Sequence, residues 1–304
     1  MPFYVNPYFF FRVLILSTFS ILFWLTPQCQ TTLLNQEQIK AIEYIKQNSN
    51  LVQSIYWPHV KPASFIKNIR KNALNPIHIY AGSNTNFCAY AALSYTCINT
   101  DPLRYVAFMI NLYNNGSADF KKIHFNPSDQ VKDVAGLLKF KGELDVNDAD
   151  QIWYLSLADR FKGYLNYTSF HYKIGAENTL WPATNFSKFN RMLRKLTDYK
   201  IQAIGADLIR PRFNNITAFL QETLAENDQV FLYLNNAILY KKNHRKVKFR
   251  FPTHYVVLFS IEEIEETITM VYWDYGYKTQ MILPISVFKD IVFGITWCKK
   301  QIAP

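Results

Sequence analysis

Residues 254–274, HYVVLFSIEEIEETITMVYWD, decide the fold. Two runs rich in Val, Ile, Tyr, Phe and Thr flank an acidic centre, Glu262-Glu263-Ile264-Glu265-Glu266. β-Branched and aromatic runs on either side of a polar turn read as the strands of an antiparallel hairpin. With Ile264 at the midpoint, His254 and Asp274 meet at the open end as cross-strand neighbours. Opposed residues lie about 5 Å apart, within side-chain reach. The same composition recurs at 229–240, 247–251, 278–283 and 294–298, with a short helix expected at 288–292. The last quarter is therefore expected to be a run of consecutive antiparallel strands.

Upstream the pattern turns helical. Ile39, Ile42 and Ile45 recur at three-residue spacing within a helix expected over 36–48, and a second helix is expected near 64–74. The polar stretch 80–86, YAGSNTN, precedes 87–98, FCAYAALSYTCI, an Ala-rich helical run in which Asn86 is the expected N-cap. Asp101-Pro102 then opens a core helix to about residue 113: Asp caps it and Pro suits its first turn. Four more helices are expected at 128–139, 147–161, 186–197 and 216–226, with a strand at 199–204. Helices first and strands last give an α+β fold. Residues 35–304 read as one domain, with a mainly helical insertion at about 117–228.

The N-terminus differs from everything after it. Arg12 is the only charged side chain before Glu37, and the 13 residues 13–25, VLILSTFSILFWL, are apolar. A basic residue followed by a short apolar run is the pattern of a secretory signal. Residues 1–34 read as a signal peptide or a membrane anchor, with Cys29 where a lipoprotein cysteine would stand. The domain that follows is then secreted, periplasmic or membrane-anchored, facing out of the cytoplasm, and touches the membrane only through this segment.

Composition narrows the function classes. Aromatics at 16% and charged residues at 18% exclude a disordered chain. Four Cys in 304 residues exclude a disulfide-dense scaffold. Net charge is +10, but six of the positive charges stand in 241–250, KKNHRKVKFR: Lys241, Lys242, Arg245, Lys246, Lys248 and Arg250. Without that arm and residues 1–34, which hold only Arg12, the other 260 residues carry only +3. The arm lies between two expected strands, just before His254, where it would favour an acidic substrate or an anionic surface. No zinc-finger, RNA-recognition or helix-turn-helix signature is present, so nucleic acid is not expected. No metal-ligand spacing, P-loop or G-x-G-x-x-G occurs, so neither metal nor cofactor is expected.

Cys88 falls in the first turn of its helix, where unpaired N–H groups and the positive end of the dipole favour the thiolate. The same N–H groups, with Asn86 or Asn84, form a candidate oxyanion site. His254 supplies a base and Asp274 a group to orient it, the logic of a nucleophile–base–orienter triad. Cys97 and Cys298 read either as a structural disulfide of an exported chain or as a buried pair of thiols.

Three segments carry a resemblance: 84–93 (NTNFCAYAAL), 251–258 (FPTHYVVL) and 271–276 (VYWDYG). They resemble the papain-like cysteine peptidase superfamily, in particular its bacterial branch of double-glycine-type peptidases and peptidase-like toxins. The motifs there are roughly N-x-C-G, then H-[YWF]-V-V, then D. The resemblance implies a Cys helix packed on an antiparallel sheet, with Cys88 as nucleophile, His254 as base and Asp274 as orienter. Ala89 stands where Gly is usual. Gly82 stands six residues before Cys88, where that family has its oxyanion Gln, so Asn86 or Asn84 would have to substitute. The expected activity is hydrolysis of an amide or peptide bond in a peptide, a protein or a peptidoglycan stem, or acyl transfer through the same intermediate. The alternative is a catalytically inactive papain-like module that binds a partner at the cell surface through its basic arm.

Overall fold

The strand β4 (Gln229–Leu234) is buried along VFLYL, and β5 (His254–Ile264) begins with five buried residues in a row. Continuous apolar strands are the mark of a sheet covered on both faces. The computed structural model describes residues 34–82, 85–138, 146–162, 171–236 and 251–300. The apolar N-terminal run, Asn84 and the whole of the basic arm 241–250 lie outside them. Among the described residues, no helix is long and apolar enough to cross a membrane. Gln36–Pro304 forms a compact unit.

That unit is α+β. Its helices are α1 (Gln36–Gln47), α2 (Pro62–Leu74), α3 (Cys88–Thr100), α4 (Pro102–Asn115), α5 (Asp129–Val134), α6 (Asp148–Arg160), α7 (Phe186–Leu196), α8 (Ile216–Glu226) and α9 (Ile285–Ile291). A small hairpin, β1 (Ala118–Phe120) with β2 (Ile123–Phe125), follows α4. The remaining strands are β3 (Tyr199–Gly205), β6 (Thr267–Asp274), β7 (Tyr277–Pro284) and β8 (Val292–Lys300). With β4 and β5 they form one antiparallel sheet in the order β3-β8-β4-β5-β6-β7.

Alternation along the strands divides the core in two. Val230, Leu232, Val256, Leu258, Met270 and Tyr272 pack beneath α8 and α9. Phe231, Tyr233, Tyr255, Val257 and Trp273 face the cluster that holds α3, α6 and α7. Trp153 and Phe189, from the expected insertion, share that cluster with Ala89 and Tyr90 of α3. The 117–228 region is thus woven into the core, and its strand β3 is an edge of the main sheet. A column of aromatic rings ties α7 to the sheet: Phe186 on Tyr233 at 5.8 Å, Tyr233 on Tyr255 at 4.3 Å, Tyr255 on Phe189 at 4.3 Å.

Several expected boundaries move for local reasons. The helix expected over 128–139 is only the six residues of α5, because the chain turns at Gly136 with φ +94°, where an added Cβ would lie 2.5 Å from the His59 carbonyl oxygen. The acidic turn is the pair Glu265-Glu266, with Glu265 at φ 56°, while Glu262 and Glu263 belong to β5. The last strand does not extend the meander beyond β7: α9 carries the chain back, and β8 fills the place between β3 and β4. Cys97 and Cys298 are free buried thiols.

Gly294 of β8 makes room for the Phe186 ring, whose atoms would lie 2.5 Å from an added Cβ. Gly294→Val is expected to lower unfolding free energy by about 1–3 kcal/mol, the usual cost of overpacking. Urea unfolding followed by tyrosine and tryptophan fluorescence measures it, and an unchanged midpoint would contradict the packing described.

Candidate active site

α3 begins at Cys88, but its N-cap is Phe87 and not Asn86. The loop before it is folded on itself: the Thr85 hydroxyl reaches the Ala81 and Gly82 carbonyls at 2.7 and 3.1 Å, and Phe87 N–H points at Thr85 Oγ1. Asn86 faces the other way. Its backbone N–H donates to Glu177 O at 2.8 Å and its side-chain amide to Thr179 O at 2.7 Å. Asn86 therefore straps the cysteine loop to the 3-10 turn Ala176–Asn178 and caps nothing. Cys88 starts the helix, and the first helical N–H bond is Ala91 to Phe87 O at 2.9 Å. The N–H groups of Cys88, Ala89 and Tyr90 come before that ladder, as the first N–H groups of any helix do.

From Ala89 to Ile98 the helix is buried on every side, while Cys88 is half-exposed. Ala89, Ala91 and Ala92 have no bulk beyond Cβ, which suits a helix lying close against β5. Its thiol arrives at the first residue of that strand: Cys88 Sγ lies 3.5 Å from the carbonyl of Thr253, near enough to the His254 ring to help raise its pKa.

His254 is 1% exposed and Asp274 5%. His254 Nε2 meets Asp274 Oδ1 at 2.7 Å. With Nε2 taken, Nδ1 is the ring nitrogen left for Cys88. The hairpin delivers this pair by an unexpected route. The two residues are not directly opposed, because the turn is centred one and a half residues later than Ile264. From Ile264↔Thr267 to Ser260↔Val271 the pairing is regular; it then slips, so that Leu258 faces Tyr272 and Val257 faces Trp273. Phe259 is the extra residue of a β-bulge. One step further sets Asp274 level with Val256, and Val256 is on the same side of β5 as His254 by two-residue alternation. Asp274 thus approaches His254 diagonally. Without the bulge it would stand level with Val257, on the other side of the strand.

Burial alone would push the His254 pKa down, since it penalises the charged ring. The Asp274 charge and hydrogen bond, reinforced by Cys88, outweigh it and raise the pKa from 6.5 to about 10. The imidazolium between a carboxylate and a sulfur is the favoured form at neutral pH.

Residues that the sequence reading passed over complete the surroundings. Tyr275, directly after Asp274, adopts φ 43°, followed by Gly276 at φ 84°. Positive φ at both central residues is the pattern of a type I′ hairpin turn. A tyrosine there is strained, and its ring lies 5.0 Å from the His254 ring. The Tyr-Gly pair after a strand was the sequence signal for it. Tyr275 also lines a cavity of about 130 Å³ with Lys71, His78 and Tyr80. Trp273 anchors β6 from the other direction, its Nε1 donating to Ile77 O at 2.7 Å. Under the cysteine helix, buried Lys188 donates to Tyr90 OH at 3.0 Å and Ala183 O at 3.1 Å. Burial, with the nearby Arg191, lowers its pKa to about 7.

The structure brings Cys88, His254 and Asp274 together and turns the Asn86 amide to Thr179. Lys241, Lys242, Arg245, Lys246, Lys248, Arg250 and Asn84 lie outside the described residues. Among the described residues, no group of three or more His, Cys, Asp or Glu is placed to hold a metal ion. A comparison with protein-family models finds no match, and one with curated proteins finds none either.

The raised His254 pKa sets a sign for stability. The proton is bound more tightly in the folded state, so the stabilisation is fully present below about pH 6.5 and is lost as pH rises towards 10. Subtracting the unfolding free energy of His254→Gln from that of the parent, at pH 6, 8 and 9.5, is expected to give a difference that shrinks with pH. A difference that grows with pH would reverse the assignment of the buried charge.

Proposed function

We propose that the chain is a cysteine hydrolase of papain-like type, acting on an amide or peptide bond through Cys88, His254 and Asp274. The observation that carries this reading is a half-exposed sulfur at a helix start, seated at the first residue of the strand whose buried imidazole meets a buried carboxylate at 2.7 Å. The papain-like assignment draws support from a cysteine helix lying against an antiparallel sheet whose adjacent strands hold the other two groups.

In the reaction, Cys88 Sγ attacks the substrate carbonyl carbon. The negative charge on its oxygen is taken up by the unpaired N–H groups at the start of α3. The carbon–nitrogen bond breaks, the amine leaves with the His254 proton, and a thioester remains on Cys88. Water then attacks the thioester, His254 accepts its proton, and the acid product leaves with the thiolate restored. An amine or alcohol in place of that water makes the same site a transferase. Asp274 holds the ring in the orientation that presents Nδ1 to sulfur. The substrate classes that suit an exported enzyme with a basic arm are peptides, proteins and acidic peptidoglycan stems. A second reading, an inactive papain-like module that binds a partner at the cell surface, is favoured by one observation: Gly82 replaces the family's oxyanion Gln, and the Asn86 amide is directed to Thr179.

Alkylation separates the two. At pH 6, iodoacetamide followed by peptide mapping is expected to modify Cys88 at least about tenfold faster than Cys97 and Cys298, because Cys88 is half-exposed at a helix start and the other two thiols are buried. Burial pushes the Cys97 thiol up to about 12 and the Cys298 thiol up as well. His254→Ala should remove the advantage. Equal labelling of all three cysteines, or an unchanged rate in His254→Ala, would defeat the catalytic reading.

A further inference from the structure

A second cleft, which shares no lining residue with the cysteine site, lies where α6 and α7 end. Its volume is about 390 Å³, within the size range of small-ligand sites and larger than a bare phosphate requires. Four cationic side chains line it: Arg160 and Lys162 from the end of α6 and just beyond, Arg191 and Lys195 from the last turns of α7. One carboxylate, Asp159, opposes them.

The floor of the cleft distinguishes it from an ordinary basic surface. Ser156 and Asp159 are three residues apart and so share a face of α6. Ser156 is 1% exposed, and among the described residues its hydroxyl has no hydrogen-bond partner. Asp159 spends Oδ2 on Ser128 N–H at 2.9 Å, while its buried Oδ1 accepts no hydrogen bond among the described residues, with Lys162 Nζ 3.6 Å away. A buried oxygen left without a hydrogen bond is costly, so a ligand that supplies one to each gains on both.

The two oxygens restrict the chemistry. A hydroxyl donates or accepts; an ionised carboxylate oxygen only accepts. The cations call for an anion, and Asp159 Oδ1 calls for a donor on the same molecule. We infer that this cleft binds a small phosphate ester that carries free hydroxyl groups, a polyol phosphate. Its phosphate lies among Arg160, Lys162, Arg191 and Lys195, and a hydroxyl donates to Asp159 Oδ1. Ser156 Oγ donates to a phosphate or ester oxygen. The assignment is independent of the cysteine chemistry.

Calorimetric titration of the full chain tests it, with sn-glycerol 3-phosphate, inorganic phosphate and glycerol as probes at about 150 mM salt, where long-range attraction is screened. Glycerol 3-phosphate is expected to bind, inorganic phosphate at least about fivefold more weakly for want of a hydroxyl, and glycerol not at all. The double variant Arg191→Gln/Lys195→Gln should weaken binding at least about tenfold, and Ser156→Ala about threefold, with helix content unchanged by circular dichroism. Cys88→Ala should bind like the parent. Cosedimentation with phosphatidylcholine vesicles, with and without phosphatidylglycerol, identifies the source of the group. Sedimentation that needs phosphatidylglycerol, is lost in the double variant and is reversed by glycerol 3-phosphate assigns a lipid headgroup; binding of glycerol 3-phosphate without such sedimentation assigns a soluble metabolite. The inference is overturned if glycerol 3-phosphate does not bind, if all anions bind alike, or if the double variant changes melting temperature and leaves affinity intact. In that last case the cations merely complement the two helix ends.

Discussion

A carboxylate and an imidazole taken out of water must stabilise each other or neutralise. His254 and Asp274 are both almost completely buried, and their contact at 2.7 Å is what permits a charged ring there. The desolvation of two ionic groups is offset only by good geometry and further hydrogen bonding. Much of the surrounding architecture serves that geometry. β5 and β6 are interior strands of the sheet, flanked by β4 and β7, so neither partner sits on a free edge. Trp273 is tied to Ile77, and the strained Tyr275 lies against the imidazole.

Cys88 meets this pair from the opposite constraint. Its helix is held by burial along ten consecutive residues, and its loop by Thr85 and by the two Asn86 hydrogen bonds. Cys88 is thus set on one packed element and His254 on another, which is how a constellation of side chains keeps its alignment. The Asn86 strap also explains why the 171–185 segment belongs to the site's support.

How much of this could be read from residue order follows from the physics of each element. The helix start at Cys88, the Asp101-Pro102 opening of α4 and the four meander strands rest on local signals: turn residues, caps and β-branched runs. Asp101 does cap Arg104 N–H, at 2.9 Å. The neighbourhood of His254 and Asp274 was legible because a hairpin couples residues equidistant from its turn. Its detail was not, since a bulge leaves no compositional trace and Phe259 looks like any other strand residue. Likewise, the return of β8 between β3 and β4 depends on burial of both sheet faces, a property of the assembled core. Lys188 under Tyr90 belongs to the same class: its partners lie 98 and 5 residues away.

The bulge at Phe259 gives the site an arithmetic of its own. Side chains along a strand alternate, so the hairpin between His254 and Asp274 is a counting device with two states. A change in length by one residue between the bulge and either end exchanges the two faces and parts the imidazole from the carboxylate. A change by two restores the face and alters only the diagonal distance. Drift in this hairpin is therefore quantised: relatives of this chain that retain the pair should differ here by even numbers of residues, or by odd numbers accompanied by the gain or loss of a bulge.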